Sequence, residues 1–424
     1  MNDYTNIKST LPKNEIPYTL DENWKWYKWG DIIQDYQQGL IRSNSELNDD
    51  YSIEYFKMNF INENGDYSFK GLPKTEASWD EILRYKIREG DFFINVRNSR
   101  ELVGKTCAIY NVLRDIVFNH MLVRIKHKNY ITGTFMSAYF NTKFGKQILE
   151  TCKKGTTTVI ALYQKDLYNL PVPIPNEKLL KKIDKIYNDI NKKIQLLHQI
   201  NDNLAELAKT IYDYWFVQFD FPDENGKPYK TSGGKMVYNE VLKREIPEGW
   251  EVKKIEDYCD IFTGKKDVNQ SIDKGKYKFF SCSPKHRYSN DKLYEGKAIL
   301  VSGNGSYTGR TIFVNCAFDL YQRTYACVPK DKKNNFIEYL YYSLCHFFVL
   351  RVSGGTHGSA IPYIVYNDIA QEYFLYNEKI IQKFMLHILP IQDKLNINII
   401  SMEELQSLRD WLLPMLMNGQ ISVE

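Results

Sequence analysis

The chain has 424 residues, 43% of them hydrophobic and 25% charged, with a formal net charge of +4. That length exceeds one ordinary hydrophobic core and calls for two or three domains; the balance excludes a disordered polymer, and so small a charge does not by itself demand nucleic acid. No run approaches the roughly 18 apolar residues of a membrane span, the opening lacks the apolar core of a signal peptide, and the seven cysteines never fall at Cys-x-x-Cys spacing. A reduced, cytoplasmic protein without a zinc site or disulfide framework is expected.

In chain order, residues 1–175 form a mixed α/β stretch. It opens on Ile16-Pro17 and Trp24-Lys25-Trp26-Tyr27-Lys28 and contains Glu89-Gly90-Asp91-Phe92-Phe93-Ile94, an exposed turn feeding a buried strand. A polar loop from Asn98 to Gly104-Lys105 follows, and Lys154-Gly155-Thr156-Thr157 lies near the end. From 176 to 217 the period becomes helical: Ile183, Tyr187, Ile190, Ile194, Leu197, Leu204, Ala208, Ile211 and Trp215 keep heptad spacing, interrupted by Asn201. Residues 218–245 carry the Pro, Gly and Asn content of a linker.

Residues 246–377 then restate the first stretch. Ile246-Pro247 and Trp250-Glu251-Val252-Lys253 answer Ile16-Pro17 and the Trp24 segment; Glu295-Gly296-Lys297-Ala298-Ile299-Leu300 answers Glu89–Ile94; Gly309-Arg310 answers Gly104-Lys105; Gly354-Gly355-Thr356-His357 answers Lys154–Thr157. Residues 378–424 repeat the heptads, with Ile388, Ile391, Leu395, Met402 and Leu405 on the seam, Asn398 and Arg409 interrupting it, and Pro390 expected to kink the helix or remove a hydrogen bond. Each helical segment spans roughly 60 Å if wholly helical, and two such segments most economically pack on each other. The expected fold is α+β: two similar target-binding domains set apart by a pair of long antiparallel helices, an internal pseudo-two-fold repeat. Asn201 and Asn398 are candidate register pins in a seam that includes Ile190, Ile194, Leu197 and Leu204.

No catalytic constellation is present. There is no Pro-Pro pair for the amino-gripping motif of DNA methyltransferases, and Gly303-Asn304-Gly305-Ser306-Tyr307-Thr308-Gly309-Arg310 has neither Walker nor dinucleotide-binding spacing. The polar loops instead offer nucleic-acid chemistry. Arg97, Asn98 and Arg100 follow a strand in the first half; Ser302, Asn304, Ser306 and Arg310, with Gln322 and Arg323, are grouped in the second. Arg matches guanine and Asn or Gln matches adenine by paired hydrogen bonds. Lys153, Lys154, Lys265, Lys266, Lys285 and Arg287 suit phosphates, Lys105 is a further DNA-binding candidate in the first polar loop, and Thr156 and His357 sit in the duplicated Gly-rich loops. Between Ile261 and Leu300, nine Lys/Arg face four Asp/Glu, a local basic surplus.

Several segments together resemble the specificity (S) subunit of type I restriction–modification systems. They are Ile246-Pro247-Glu248-Gly249-Trp250-Glu251-Val252, Trp215-Phe216-Val217-Gln218-Phe219-Asp220-Phe221-Pro222, Gly226-Lys227-Pro228-Tyr229-Lys230, Leu102-Val103-Gly104-Lys105, Tyr321-Gln322-Arg323-Thr324-Tyr325, and Leu412-Leu413-Pro414-Met415-Leu416-Met417-Asn418-Gly419-Gln420. The resemblance implies two recognition domains reading a bipartite double-stranded DNA target, with the helices as spacer. It also implies two modification subunits and the restriction subunits as partners, which would carry S-adenosylmethionine, ATP and Mg²⁺, and no catalysis in this chain. The first half departs from the pattern, with Thr19-Leu20-Asp21-Glu22-Asn23-Trp24 where the second has Glu248-Gly249-Trp250. The alternatives are a non-catalytic coiled-coil adaptor, a specificity subunit of another DNA-modification system, or a stand-alone nuclease or methyltransferase with an unfamiliar site.

Overall fold

The structure, a computed structural model, describes residues 23–155, 159–331, 336–348 and 363–417. The expected contacts Thr156 and His357, the opening Ile16-Pro17 and the closing Asn418-Gly419-Gln420 lie outside the described residues. The chain divides into two compact units: Met1–Ile200 with Asn398–Glu424, and Asn201–Ile397. Each unit therefore takes a recognition-sized domain and half of each long helix, so the units cut across the segments drawn along the chain.

In the first unit a four-stranded antiparallel sheet orders Ile33–Gln38, Leu122–His127, Phe92–Asn95 and Thr106–Ala108. A second sheet pairs Ile53–Phe56 in parallel with Ile116–Phe118, and Trp24–Lys28 pairs antiparallel with Pro171–Pro175. The helix Gly133–Asn141 starts at Thr132, whose hydroxyl accepts the Phe135 N–H at 3.1 Å, the usual cap for an orphan helical donor. Trp29 is fully buried; its Nε1–H donates to His127 Nε2 at 3.0 Å and its ring stacks on the imidazole.

The second unit reproduces this order within one six-stranded sheet: Cys259–Thr263, Thr324–Pro329, Tyr294–Ser302, Thr311–Leu320, Tyr277–Phe280 and Arg287–Ser289. The parallel pairing recurs between Tyr277–Phe280 and Thr311–Leu320, and Glu251–Lys254 pairs with Tyr373–Tyr376 as Trp24–Lys28 does in the first. The expected linker is an ordered part of this unit. Phe219 and Phe221 are buried beside Trp250, the Asp220 carboxylate accepts from Thr231 N–H and Oγ–H at 2.8 and 2.6 Å, and Met236–Asn239 forms a hairpin with Arg244–Pro247. Its Pro and Gly mark tight turns, not a loose tether.

Helical segments run at Glu177–Tyr212, continued by a π-turn at Asp213–Val217, and at Glu378–Met417. Both begin after an asparagine: Asn176 Oδ1 accepts the Leu179 N–H at 2.9 Å and Asn377 Oδ1 accepts the Ile380 N–H at 3.2 Å. The second helix continues unbroken through Pro390. In the first unit Asn191 meets Arg409, and in the second Asn201 Nδ2 reaches the Leu395 carbonyl at 3.5 Å while Tyr212 and Trp215 pack on Phe384. Partner numbers fall on one helix as they rise on the other, which makes the pairing antiparallel.

The heptad pattern misplaces part of the buried seam. Ile194, Leu197, Ile388 and Asn398 are buried, whereas Ile190, Asn201, Leu204, Ile391, Leu395 and Leu405 are half-buried, and the polar Asn191, Gln195 and Arg409 lie inside. In the first unit the helices pack on the domain as well as on each other: Gln195 Nε2 donates to the Tyr67 carbonyl at 3.4 Å, and Leu413 and Leu416 share a core with Phe135.

Candidate nucleic-acid interface

The duplicated residues converge at one end of each sheet, and matched backbone hydrogen bonds set the correspondence. Asn95 ends its strand by donating to the Lys105 carbonyl at 2.8 Å and accepting from Gly104 N–H at 2.9 Å; Ser302 donates to the Arg310 carbonyl at 2.9 Å and accepts from Gly309 N–H at 2.8 Å. Gly104 and Gly309 sit at φ +89° and +81°, a left-handed conformation that favours glycine where the loop folds back. One residue on, Val96 N–H donates to the Met121 carbonyl and Gly303 N–H to the Arg323 carbonyl, each at 2.9 Å. Val96 and Gly303 carbonyls in turn accept from Leu162 and Ile364 N–H, again at 2.9 Å.

This corrects the alignment made from Glu89-Gly90 and Glu295-Gly296, which matches Ile94 with Leu300. The hydrogen bonds match Ile94 with Val301, because the second half carries one more residue between its Glu-Gly pair and its strand end. On a strand a one-residue shift exchanges faces, so the difference changes which side chains are equivalent.

By the same correspondence the turn Asn119-His120-Met121 is the counterpart of Tyr321-Gln322-Arg323: Asn119 N–H donates to the Phe56 carbonyl and Tyr321 N–H to the Phe280 carbonyl, both at 2.9 Å. Under each turn passes a glycine too close for a side chain. A Cβ at Gly39 would lie 2.4 Å from the Asn119 carbonyl oxygen, and one at Gly264 would lie 1.7 Å from that of Leu320.

In the first unit Arg97 and Asn98 form a short strand beside Ile160–Leu162, which pairs on its other edge with Lys153–Gly155, so Arg97, Asn98, Lys153 and Lys154 share one small sheet. Arg97 is exposed; Arg100 pairs with Glu150 at 2.8 Å, Lys153 bridges Glu150 and the Arg100 carbonyl at 2.7 Å each, and Lys154 pairs with Asp166 at 2.7 Å. Lys105 is half-buried at the returning end of the Gly104 loop. His120, which no sequence pattern marks, sits on the turn, where burial and then the nearby Arg97 hold its imidazole below the ordinary pKa.

In the second unit Ser302 is buried, Asn304 is half-buried with Oδ1 3.2 Å from Cys282 Sγ, and Ser306 is exposed. Gln322 and Arg323 are exposed and line a cavity of about 460 Å³ with Gly303, Tyr325, Tyr363 and Ile364. Arg310 reaches the carbonyls of Ser283 and Pro284 at 3.4 Å each, bringing the Lys285 loop to the site, and Lys265 is exposed beside it in sequence. Like Lys153 and Lys154, two expected phosphate contacts of this unit are committed to carboxylates. Lys266 is held by Asp291 and Asp319 at 2.7 Å each and by Ser289 Oγ at 2.9 Å, which raises its pKa, and Arg287 pairs with Asp273 at 2.9 Å.

Among the described residues no group of three or more His, Cys, Asp and Glu is placed to hold a metal ion, and no helix is long and apolar enough to cross a membrane. What the two sheet ends present is a pair of matched, loop-lined polar surfaces bearing Arg, Lys, Asn and Gln. These are the features of a protein that reads nucleic acid, present twice in one chain.

Comparison with known proteins agrees. The model of the type I restriction modification DNA specificity domain matches residues 21–206 and again 247–408, and the chain belongs to this family of type I restriction–modification specificity subunits. The MjaIX specificity subunit of Methanocaldococcus jannaschii is 24% identical over 345 residues, 77% of each chain. The HindI specificity subunit of Haemophilus influenzae is 24% identical over 482 residues, 94% of this chain and 100% of that one. A crystal structure of a type I restriction–modification S subunit from M. genitalium, 14% identical, shares the fold with a TM-score of 0.56, covering 94% of this chain and 98% of that one.

Proposed function

We propose that each unit reads one block of a bipartite double-stranded DNA target, and that the chain delivers this choice to partner subunits. The observation that carries the reading is the duplicated sheet end. The same backbone hydrogen bonds hold Gly104-Lys105 and Gly309-Arg310, and Met121 and Arg323, while the side chains they present differ. Conserved framing with different side chains is what two readers of different half-sites require. Lys265 and Lys285 supply exposed positive charge around the second reading turn, suited to phosphates, and Lys154 is exposed in the first unit beside its partner Asp166.

On this reading two modification subunits dock on the long helices and restriction subunits join them. Exposed apolar side chains support docking in each unit: Ile200, Ile400, Leu408 and Trp411 in the first, Leu207, Leu386 and Ile397 in the second. S-adenosylmethionine, ATP and Mg²⁺ act on those partners, in the cytoplasm, and this chain performs no catalysis. The test is a salt titration of duplex DNA binding. Phosphate contacts make affinity fall steeply with salt, so a flat response favours a coiled-coil adaptor, and methylation or cleavage by the purified chain alone overturns the non-catalytic role.

A further inference from the structure

Five arginines lie at the two reading ends: Arg97 and Arg100 in the first unit, Arg287, Arg310 and Arg323 in the second. Three are engaged by the protein. Arg100 pairs with Glu150 and Arg287 with Asp273, and Arg310 reaches two backbone carbonyls. Arg97 and Arg323 are exposed and make no side-chain hydrogen bond or ion pair among the described residues. Among the described residues, these are the two guanidinium forks at the reading ends with no protein acceptor.

These two arginines stand on either side of one equivalent backbone hydrogen bond. In the first unit Val96 N–H donates to the Met121 carbonyl, and the residue after the donor is Arg97. In the second, Gly303 N–H donates to the Arg323 carbonyl, so the acceptor residue itself carries the cation, and Asn304 stands where the first unit has Arg97. The strand exit and the turn are thus two alternative mounts on either side of one conserved hydrogen bond. Arg97 lies close enough to His120, on the turn, to disfavour its charged form, so the strand-exit guanidinium and the turn are electrostatic neighbours. In the second unit the turn residue Arg323 lines a cavity with Gly303, from the opposite mount.

Building on the DNA-reading function proposed above, we propose that this spot is a guanine-reading position in each unit, filled by Arg97 from the strand exit in the first and by Arg323 from the turn in the second. A planar fork with five N–H donors, no internal acceptor and a rigid backbone mount matches the O6/N7 edge of guanine, which a phosphate-steering lysine does not. Met121 and Asn304 are the vacated mounts and set what else fits beside that base. Charge alone could not show this: Met121 carries none, and the correspondence emerges only from the hydrogen-bonded register.

The experiment is selection of binding sites from a randomised duplex library by the full chain, assembled with its modification subunits, at fixed salt. Arg97→Ala should lose guanine preference roughly tenfold or more at one position of one half-site and leave the other half-site intact, and Arg323→Ala should do the reverse. Arg97→Ala combined with Met121→Arg moves the cation to the other mount and should restore a guanine within the same half-site. A uniform loss across all sequences, no change in either half-site, or a double variant as relaxed as Arg97→Ala overturns the proposal. If the unaltered chain enriches no sequence at all, it is the DNA-reading function itself that fails.

Discussion

Arg409, on the second long helix, donates through Nη2 to Asp66 Oδ2 at 3.3 Å across 343 residues of sequence, while its Nη1 contacts the other carboxylate oxygen and Asn191 Oδ1, the latter at 2.8 Å. Arg409 is 1% exposed and Asp66 is 7% exposed. Asn191 lies on the first long helix, so one guanidinium ties both helices to the Asn62–Asp66 turn within the first unit. The sequence pattern marks Arg409 as an interruption of an apolar seam; its physical role is a buried, paired charge.

Removing it should be costly because Asp66 is left buried and uncompensated. Arg409→Ala is expected to destabilise the first unit by about 3–5 kcal/mol, whereas Arg409→Met with Asp66→Leu should recover much of that loss. Chemical denaturation of the single and paired variants checks this. Equal losses in both would show that the ion pair is incidental.

His127 gives a pH dependence. It is buried, accepts from Trp29 Nε1–H, and burial pushes its pKa from 6.5 down to about 3. The folded state therefore favours the neutral ring. This stabilisation is fully present above about pH 6.5 and declines as pH falls towards 3, at up to about 1.4 kcal/mol per pH unit. His127→Gln keeps an acceptor for Trp29 without a titrating ring, so its denaturation midpoint should fall less steeply over that window. Parallel curves for the two proteins would assign the acid sensitivity elsewhere.

Gly264 and Gly39 lie against carbonyls of the neighbouring turn, where a Cβ would stand 1.7 and 2.4 Å away. Either Gly→Ala change should displace the turn at an overpacking cost of about 1–3 kcal/mol. The signature is selective: Gly264→Ala should weaken readout of the half-site served by Gln322 and Arg323 and spare the other. Loss of both half-sites would point to general unfolding.

The helices' exposed apolar residues yield a docking prediction. Trp411→Asp and Leu386→Asp add charge to exposed positions of the first and second units, with small expected effects on folding. Each should impair co-purification of a modification subunit while leaving binding of duplex DNA by the chain intact. Undiminished co-purification in both would place the docking surface elsewhere.

What was legible in the sequence was periodicity and repetition. Heptads between Ile183 and Trp215 marked a long helix, and the echo of Gly104-Lys105 in Gly309-Arg310 marked matched loops. What escaped depends on tertiary pairing. The buried Asn191 and Arg409 are polar and broke the pattern that found Ile190. The turn at His120 and Met121 carries little charge, and only its tertiary pairing with Val96, matching that of Arg323 with Gly303, marks it. Lys266 and Arg287 looked suited to phosphate because sequence spacing does not show that Asp319 and Asp273 reach them.

The central claim is that two domains in one chain read two separate blocks of DNA. Methylome sequencing of cells expressing this chain with its modification subunits tests it most directly. The account predicts one modified motif made of two defined blocks separated by a fixed, unspecified gap. A single contiguous modified block, or no motif dependent on this chain while the modification subunits are active, would contradict it.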